Sequence, residues 1–310
     1  MTQLNTGLSG CSLQLIDDKI LRKYSPSEEY TPRLYSQIDK QVLFSQKILK
    51  NVDTPKVYDI QEGYFDMEYI PGHTFLEFFS TASVNDVEFV VNTLFQYFDS
   101  LIFNYRCNNI RSSVLQKVDS LREKTEYKDY LEFIESLVQR YNIYVPKTFC
   151  HGDLTFTNVI FHKNRLFFID FLDCYVDSFI SDLVKLKQDL YHLWSIKTQR
   201  IQSNRLEQIY RYIWGRLSQR YSEFIDSDAF DILEAMNSLR IEPYLTSYHQ
   251  RTILETIVKS SELYADFSGA YGREIESVPQ HETKVDVDTS DDQSFYGYGI
   301  DSGAELRILR

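Results

Sequence analysis

Apolar positions follow two different periods along this chain. Over roughly the first eighty residues they alternate within short runs, and from Ser83 onward they recur at steps of three and four. Cys11-Ser12-Leu13-Gln14-Leu15-Ile16 and Lys19-Ile20-Leu21-Arg22-Lys23-Tyr24 flank the turn-forming pair Asp17-Asp18 and predict a β-hairpin. Arg33 to Leu49, with Leu34, Ile38, Val42 or Leu43, Phe44 and Ile48 apolar, predicts a helix that ends before Pro55. Lys56–Ile60 and Tyr64–Ile70 read as two further strands, the second stopped by Pro71-Gly72. Val87, Val90, Val91, Leu94, Phe95, Phe98, Leu101 and Ile102 then fall on one helical face, with Ser83 and Asp86 spaced as an N-terminal cap. Similar patterns predict helices over Ser112–Lys124, Tyr127–Arg140, Ser181–Trp194, Arg205–Ile225, Ala229–Leu239 and His249–Tyr264. Between them, Cys150–Asp170 is a strand-rich block holding the apolar runs Val159-Ile160-Phe161 and Leu166-Phe167-Phe168-Ile169.

The pattern therefore divides the chain into a small β-rich part over 1–72, a helical part over 73–275, and an acidic segment over 276–310. That last segment is poor in branched apolar residues, and its composition predicts a mobile tail. No internal repeat is visible.

Composition narrows the function only a little. At 43% hydrophobic and 25% charged residues, the chain can build a core over most of its 310 residues. Lys plus Arg number 33 against 45 Asp plus Glu, a net charge of −12. That sign argues against a nucleic-acid or membrane-surface partner and suits a cationic or neutral one. Cys11, Cys107, Cys150 and Cys174 form no CxxC pair, so reduced thiols in a soluble, cytoplasmic protein are the plain reading. No secretory leader or bilayer-length apolar run is visible in the sequence. The aromatic content of 15% is read first as core and surface filling.

The unusual polar residues gather in one block, His151-Gly152-Asp153-Leu154-Thr155-Phe156-Thr157-Asn158, followed by Phe168-Ile169-Asp170-Phe171. An Asp, an Asn five residues later, then a hairpin and a second Asp is a spacing that phosphoryl transfer can use. The attacking hydroxyl needs a base or orienting group, and Mg²⁺ must hold the β and γ oxygens of the donor. Mg²⁺ keeps several waters, so one carboxylate and one amide from the protein suffice. Asp153 is then the candidate base, with Asn158 and Asp170 the candidate metal ligands. His151 is assigned to orienting the loop rather than to moving a proton. The competing reading makes all three acid and amide side chains turn or helix caps.

Taken together, HGDLTFTN and IDF resemble the catalytic and metal-binding segments of the aminoglycoside phosphotransferase and choline kinase family, the small-molecule branch of the protein-kinase-like fold. The resemblance implies an α+β, two-lobed fold, with a small β-rich N-lobe and a larger, mostly helical C-lobe. It places ATP against the N-lobe. Gly10 stands in the loop that would cover the phosphates, an ordinary hairpin turn being the alternative. Lys23 matches the lysine on the α and β phosphates, with Lys19 and Arg22 as neighbours that could be confused with it. Glu68, Tyr69 and Ile70 match the linker whose backbone receives adenine. Asp182 matches an acid that ties the catalytic loop to the helical lobe, a helix cap being the other reading. One departure stands out, because Gln41 occupies the helix position where the family has a Glu for the lysine. Asp39, two residues away, faces elsewhere on a helix. Asp173 is close enough in sequence to assist a second metal.

The function implied is an ATP- and Mg²⁺-dependent phosphotransferase acting on a small-molecule hydroxyl. Acids on the late helices suit an aminoglycoside, aromatic residues there suit a choline-like ammonium, and a neutral sugar is a third option. The reading from another class is a non-catalytic nucleotide-binding scaffold with a kinase-like fold, which Gln41 and the glycine-poor loop favour.

Overall fold

The protein is described by a computed structural model over residues 2–4, 10–47, 49–103 and 105–271. The expected mobile tail and residues Leu8 and Ser9 of the phosphate-covering loop lie outside the described residues.

Strands β1 (Thr2–Leu4), β2 (Ser12–Ile16) and β3 (Ile20–Tyr24) precede helix α1 (Thr31–Ser45), and β4 (Val52–Asp53), β5 (Val57–Gln61) and β6 (Tyr64–Glu68) follow it. Five of these strands form one sheet in the order β1-β2-β3-β6-β5, with every neighbouring pair antiparallel. The β2–β3 turn uses Asp17 and Asp18, both in the left-handed region at φ 52° and 53°, which acidic and amide side chains tolerate better than most. Beneath the sheet lies a small core of Cys11, Leu34, Ile38, Phe65 and Met67. Helix α1 joins this region to the rest, because Phe44, near its C-terminal end, packs against Tyr97, Phe149, Phe168 and Phe171 instead.

The helical part contains α2 (Phe75–Thr81), α3 (Val84–Ile102), α4 (Arg111–Leu121), α5 (Lys128–Arg140), α6 (Phe179–Leu186), α7 (Trp194–Thr198), α8 (Asn204–Arg220), α9 (Ser222–Ile225), α10 (Asp228–Ile241), α11 (Tyr248–Lys259) and α12 (Glu262–Tyr271). Helix α3 starts on a capping box in which the Ser83 side chain accepts from the Asp86 amide and Asp86 accepts in return from the Ser83 amide. Val87, Val90, Val91, Leu94 and Phe98 of its apolar face are buried in the main core. Helix α2 begins on a second such box, Thr74 with Glu77, which the apolar pattern did not signal.

Three predicted helices are divided in the structure. The Ser181–Trp194 pattern becomes α6, a π-helical turn over Lys187–Tyr191, and a left-handed Leu193 that starts α7. Tyr221 separates α8 from α9, and Ser260-Ser261 separate α11 from α12. In each case the apolar face runs on across the break, so periodicity alone cannot locate it.

Two smaller sheets lie among the helices. β7 (Arg106–Asn109) pairs with β8 (Tyr144–Lys147), and β9 (Val159–His162) pairs with β10 (Arg165–Phe168). β4 joins β10 in parallel, so a short strand from the first part completes a sheet of the second. The chain crosses between the parts at Gly72, where a Cβ would lie 2.4 Å from Ile160 Cγ2 and 2.7 Å from the Phe161 carbonyl. Only glycine lets the backbone approach β9 this closely. Among the described residues, no helix is long and apolar enough to cross a membrane.

Candidate active site

The block His151–Asn158 is a loop that ends in a 3₁₀ turn over Phe156–Asn158, immediately before β9. The Ile169 amide donates to the Asn158 carbonyl at 3.0 Å, which sets Asp170, just beyond β10, beside Asn158. Asp170 itself is left-handed, at φ 59°. Lys23 arrives from β3, and its Nζ lies 2.7 Å from Asp170 Oδ1. Asp153 and Asn158 of the loop, Asp170 after β10 and Lys23 of β3 are thus brought together from three places in the sequence.

The loop is fixed mainly by a single stretch of helix. Asp182, fully buried on α6, accepts the His151 amide at 2.7 Å, the Gly152 amide at 2.9 Å and the Tyr97 hydroxyl at 3.1 Å. Lys185, one turn later, places Nζ 3.0 Å from Asp153 Oδ1. Asp189, in the π-helical turn, accepts the Phe156 amide at 2.7 Å and the Ser195 amide at 3.1 Å. Residues 182, 185 and 189 share one helical face, and they hold the loop at successive points along it. Both the helix-cap and loop-tether readings of Asp182 placed it near an N-terminus; the structure puts its side chain on the loop.

His151 is buried and holds the loop from within. Its Nε2 lies 2.8 Å from the Ile169 carbonyl, and its Nδ1 accepts the Asp153 amide at 3.2 Å. That pairing fixes a neutral ring with the proton on Nε2. Burial pushes its pKa down to about 4 in spite of Asp153 nearby. Gly152 is at φ +90°, and a Cβ there would lie 2.1 Å from the Leu172 carbonyl. The loops around 152 and 172 can meet only without a side chain at this point.

Charge at the site is set by two buried lysines. Burial acts to raise the Asp153 pKa, but Lys185, with help from Arg240, brings it below the ordinary carboxylate value. Burial also lowers Lys185, more than Asp153 raises it. For Lys23, burial acts against the charge, yet Asp170 holds its pKa above the ordinary value. Burial pushes Asp182 up to about 6 against its hydrogen bonds.

The helix partner of Lys23 is not the expected residue. Gln41 donates to the Pro55 carbonyl at 2.7 Å and lies against Met67 Sδ, away from the lysine. Gln37, one turn earlier, accepts from Lys23 Nζ at 3.3 Å and donates to the Tyr30 hydroxyl. Matching apolar spacing misplaced the contact by one turn, because the two glutamines share a face and both are buried. Lys23 is itself buried, unlike an ordinary strand lysine, whereas Arg22 points to the other face of β3 and forms a bidentate pair with Asp66. Asp173 accepts from Ser36 at 2.5 Å.

The residues at Asn158 and Asp170 suit a magnesium ion. Both Asn158 Nδ2 contacts go to Asp153, one to its carbonyl at 2.8 Å and one to Oδ2 at 3.1 Å. Its amide oxygen is thereby turned outward. Asp170, whose Oδ1 meets Lys23, has a side chain 45% accessible. Among the described residues there is no cluster of three His, Cys, Asp or Glu side chains of the kind a tighter-binding ion would require. One carboxylate and one amide is the sparse, hard-oxygen set that Mg²⁺ accepts when phosphates supply the rest.

Elsewhere the expected nucleotide contacts are spread out. Gly10, at φ +74°, lies between β1 and β2 beside Pro26. In the linker, the Glu68 amide donates to the Lys56 carbonyl and the Tyr69 amide to the Lys19 carbonyl, both at 2.8 Å. Among the described residues, the Ile70 amide has no backbone partner, while its carbonyl accepts from Gly72. Lys185, Gln37 and Asp189 were missed by sequence reasoning. Their signal was a set of polar residues at helical spacing inside otherwise apolar helix faces.

Residues 111–220 match the model of the phosphotransferase enzyme family, APH. Among solved structures, the ternary complex of APH(2")-IIa with streptomycin and ATP is 15% identical, covers 85% of this chain and 92% of its own, and superposes with a TM-score of 0.54. APH(2")-IIia with GDP and kanamycin gives 12% identity, 86% and 92% coverage and a TM-score of 0.54. A candidate fructosamine-3-kinase from Thermobifida fusca YX-ER1 gives 11%, 83% and 91%, and 0.53. The chain has the kinase-like fold of these structures. No curated protein sequence matches it.

Proposed function

We propose that the protein transfers the γ-phosphoryl group of ATP, as its Mg²⁺ complex, to a hydroxyl of a small molecule. The observation that carries this is the meeting of Lys23 with Asp170 and of Asn158 with Asp153, the last three of these residues lying in a segment matched by a family of phosphotransferase enzymes. The ATP- and GDP-bound relatives add support for a nucleotide donor.

Asp153 accepts the proton of the attacking hydroxyl, whose oxygen forms a bond to the γ-phosphorus as the bond to the β-γ bridging oxygen breaks and ADP leaves. Lys185 and Asn158 orient the carboxylate, and the lowered pKa keeps it ionised and ready to accept. Asn158 and Asp170 would hold Mg²⁺, which when bound neutralises charge on the phosphate oxygens. Lys23, released from Asp170 by that ion, would bind the nucleotide phosphates. Gly10 and the linker at Glu68, Tyr69 and Ile70 would enclose the nucleotide, with Ile70 offering the free amide.

The neutral Gln37 beside Lys23 is the one observation that favours a non-catalytic scaffold. ADP release from ATP and Mg²⁺ over a panel of alcohols, amino-alcohols and sugars separates the two readings. Turnover by the wild type that is lost in Asp153→Ala supports the enzyme. Equal nucleotide turnover by the two proteins rejects it.

A further inference from the structure

Beside Lys23 and Lys185, a third lysine turns inward. Lys40, on α1, keeps only 11% of its side chain accessible. Its Nζ donates to the Leu172 carbonyl at 2.7 Å and lies 3.6 Å from Cys150 Sγ and 3.9 Å from Asp177 Oδ1. Burial acts against the charge, yet the thiols of Cys150 and Cys174 and the carboxyls of Asp182 and Asp177 hold the Lys40 pKa above its ordinary value. The ammonium is a charged donor, and its shortest contact is a backbone carbonyl rather than an acid. Asp177 is 60% accessible, so neutralising that acid is the weaker part of what Lys40 does.

Leu172 marks the point where two functional segments cross. Its amide donates to the His151 carbonyl at 3.0 Å, two residues before Asp153. Its carbonyl packs so closely on Gly152 that a Cβ there would lie 2.1 Å away. Asp170 stands two residues earlier on the same segment. The Lys40 ammonium therefore sits where the loop of the proposed base meets the segment of the proposed metal ligand.

Helix α1 grips this crossing at more than one point. Ser36, one turn before Lys40, donates to Asp173, the residue after Leu172, at 2.5 Å. Gln37, between them, accepts from Lys23 Nζ, which meets Asp170. The contacts close a ring from Lys23 to Asp170, along the chain to Leu172, through Lys40 into α1, and by Gln37 back to Lys23.

We propose that Lys40 is a positioning residue for phosphoryl transfer, holding the crossing of Leu172 with His151 and Gly152 so that Asp153 and Asp170 keep one spacing. It acts through the backbone that carries those two acids. This rests on the phosphotransferase reading and adds a residue to its machinery.

Two measurements on the full chain test it with Lys40→Met, which keeps an unbranched stem and removes the ammonium. The first, hydrogen-exchange mass spectrometry, needs neither nucleotide nor turnover. We expect exchange over 149–158 and 169–177 to rise by about tenfold or more, with α10 matching wild type. Exchange equal to wild type throughout, or raised equally in α10, would overturn the proposal. If thermal unfolding shows that Lys40→Met does not fold, Ser36→Ala takes its place and should raise exchange over 169–177 by about threefold, no change again overturning the proposal.

The second measurement pairs calorimetric titration of AMP-PNP and Mg²⁺ with ADP release from ATP and Mg²⁺ in the presence of glycerol, ethanolamine or glucose. Absence of turnover in the wild type counts against the phosphotransferase reading alone, and exchange then decides the role of Lys40. Where the wild type turns over, Lys40→Met should bind AMP-PNP at full stoichiometry, with Kd within about threefold of wild type, while kcat per binding site falls by about tenfold. A lysine that only stabilised the fold would lower the stoichiometry and leave kcat per site unchanged. An unchanged kcat per site, or a loss confined to AMP-PNP affinity, would overturn the proposal.

Discussion

The two sides of the cleft are held in opposite ways. On the catalytic-loop side, Asp182, Lys185 and Asp189 meet the loop with carboxyl and amino groups, and the backbone amides of His151, Gly152 and Phe156 each have a carboxyl acceptor. On the nucleotide side, Lys23 is met from α1 only by the neutral oxygen of Gln37 at 3.3 Å, and its counter-charge is Asp170. Hydrogen bonds to charged groups contribute about 1.5–3 kcal/mol against about 0.5–1.5 kcal/mol for neutral ones. The loop that carries the proposed base is therefore set rigidly in advance. The lysine is left to exchange Asp170 for an incoming phosphate, which fits a site that reorganises when Mg²⁺ and nucleotide arrive.

The largest effects should come from breaking the rigid side. Asp153→Asn keeps the contact volume but removes the proton acceptor, and should reduce phosphoryl transfer by on the order of 10²–10⁴ in kcat. Steady-state ADP release checks this, with thermal unfolding as a control for folding. Asp182→Ala strips two buried amides and the Tyr97 hydroxyl of their acceptor. At about 1–3 kcal/mol per orphaned group, it should destabilise the protein by on the order of 3–5 kcal/mol in denaturant unfolding.

Much of this contrast was legible in the sequence, and the rest was hidden for identifiable reasons. The α3 pattern and its Ser83–Asp86 cap predict the observed helix to within a residue, because a single apolar face and a capping box determine it locally. The order Asp153, Asn158, Asp170 was visible because a loop of fixed length and one hairpin connect them. Lys185 was passed over as a helix lysine, since nothing local says that its side chain turns inward to meet a residue 32 positions earlier (185 − 153). Gln37 and Gln41 could not be separated by period, as both lie on the buried face of α1. The breaks at Leu193 and Ser260-Ser261 depend on tertiary packing that leaves the apolar period intact on both sides.

A smaller effect separates His151 of the loop from Asp182 of α6, which holds it. The folded chain holds His151 at about 4 against an ordinary 6.5, so the unfolded chain binds the proton first and His151 removes stability as pH falls through that window. Asp182, at about 6 against an ordinary 3.8, takes its proton first in the fold and restores stability as pH falls from 6 toward 4. The two opposite dependences nearly cancel in the wild type. Asp182→Asn leaves His151 alone, so stability should fall by on the order of 3 kcal/mol more than wild type between pH 6.5 and 4. Denaturant midpoints at several pH values measure the slope, independent of any offset the substitution introduces.

The smallest effect should come from sharpening the loose side. Gln37→Glu gives Lys23 a charged helix partner and draws it from Asp170. Exchanging a neutral for a charged hydrogen bond is worth about 1 kcal/mol, so the affinity for Mg²⁺ and ATP should rise by about fivefold. Calorimetric titration would show it, and an unchanged affinity would mean that Lys23 is already free to leave Asp170.

The most direct test is the affinity for ATP, measured by calorimetry with Mg²⁺ and with EDTA, in wild type and in Asp170→Asn. If Asp170 and Asn158 share an ion with the phosphates, Mg²⁺ should tighten ATP binding by at least about tenfold in the wild type and leave the variant little changed. ATP binding that ignores Mg²⁺ equally in both proteins would contradict the account and leave a cleft that holds nucleotide without the means to transfer its phosphate.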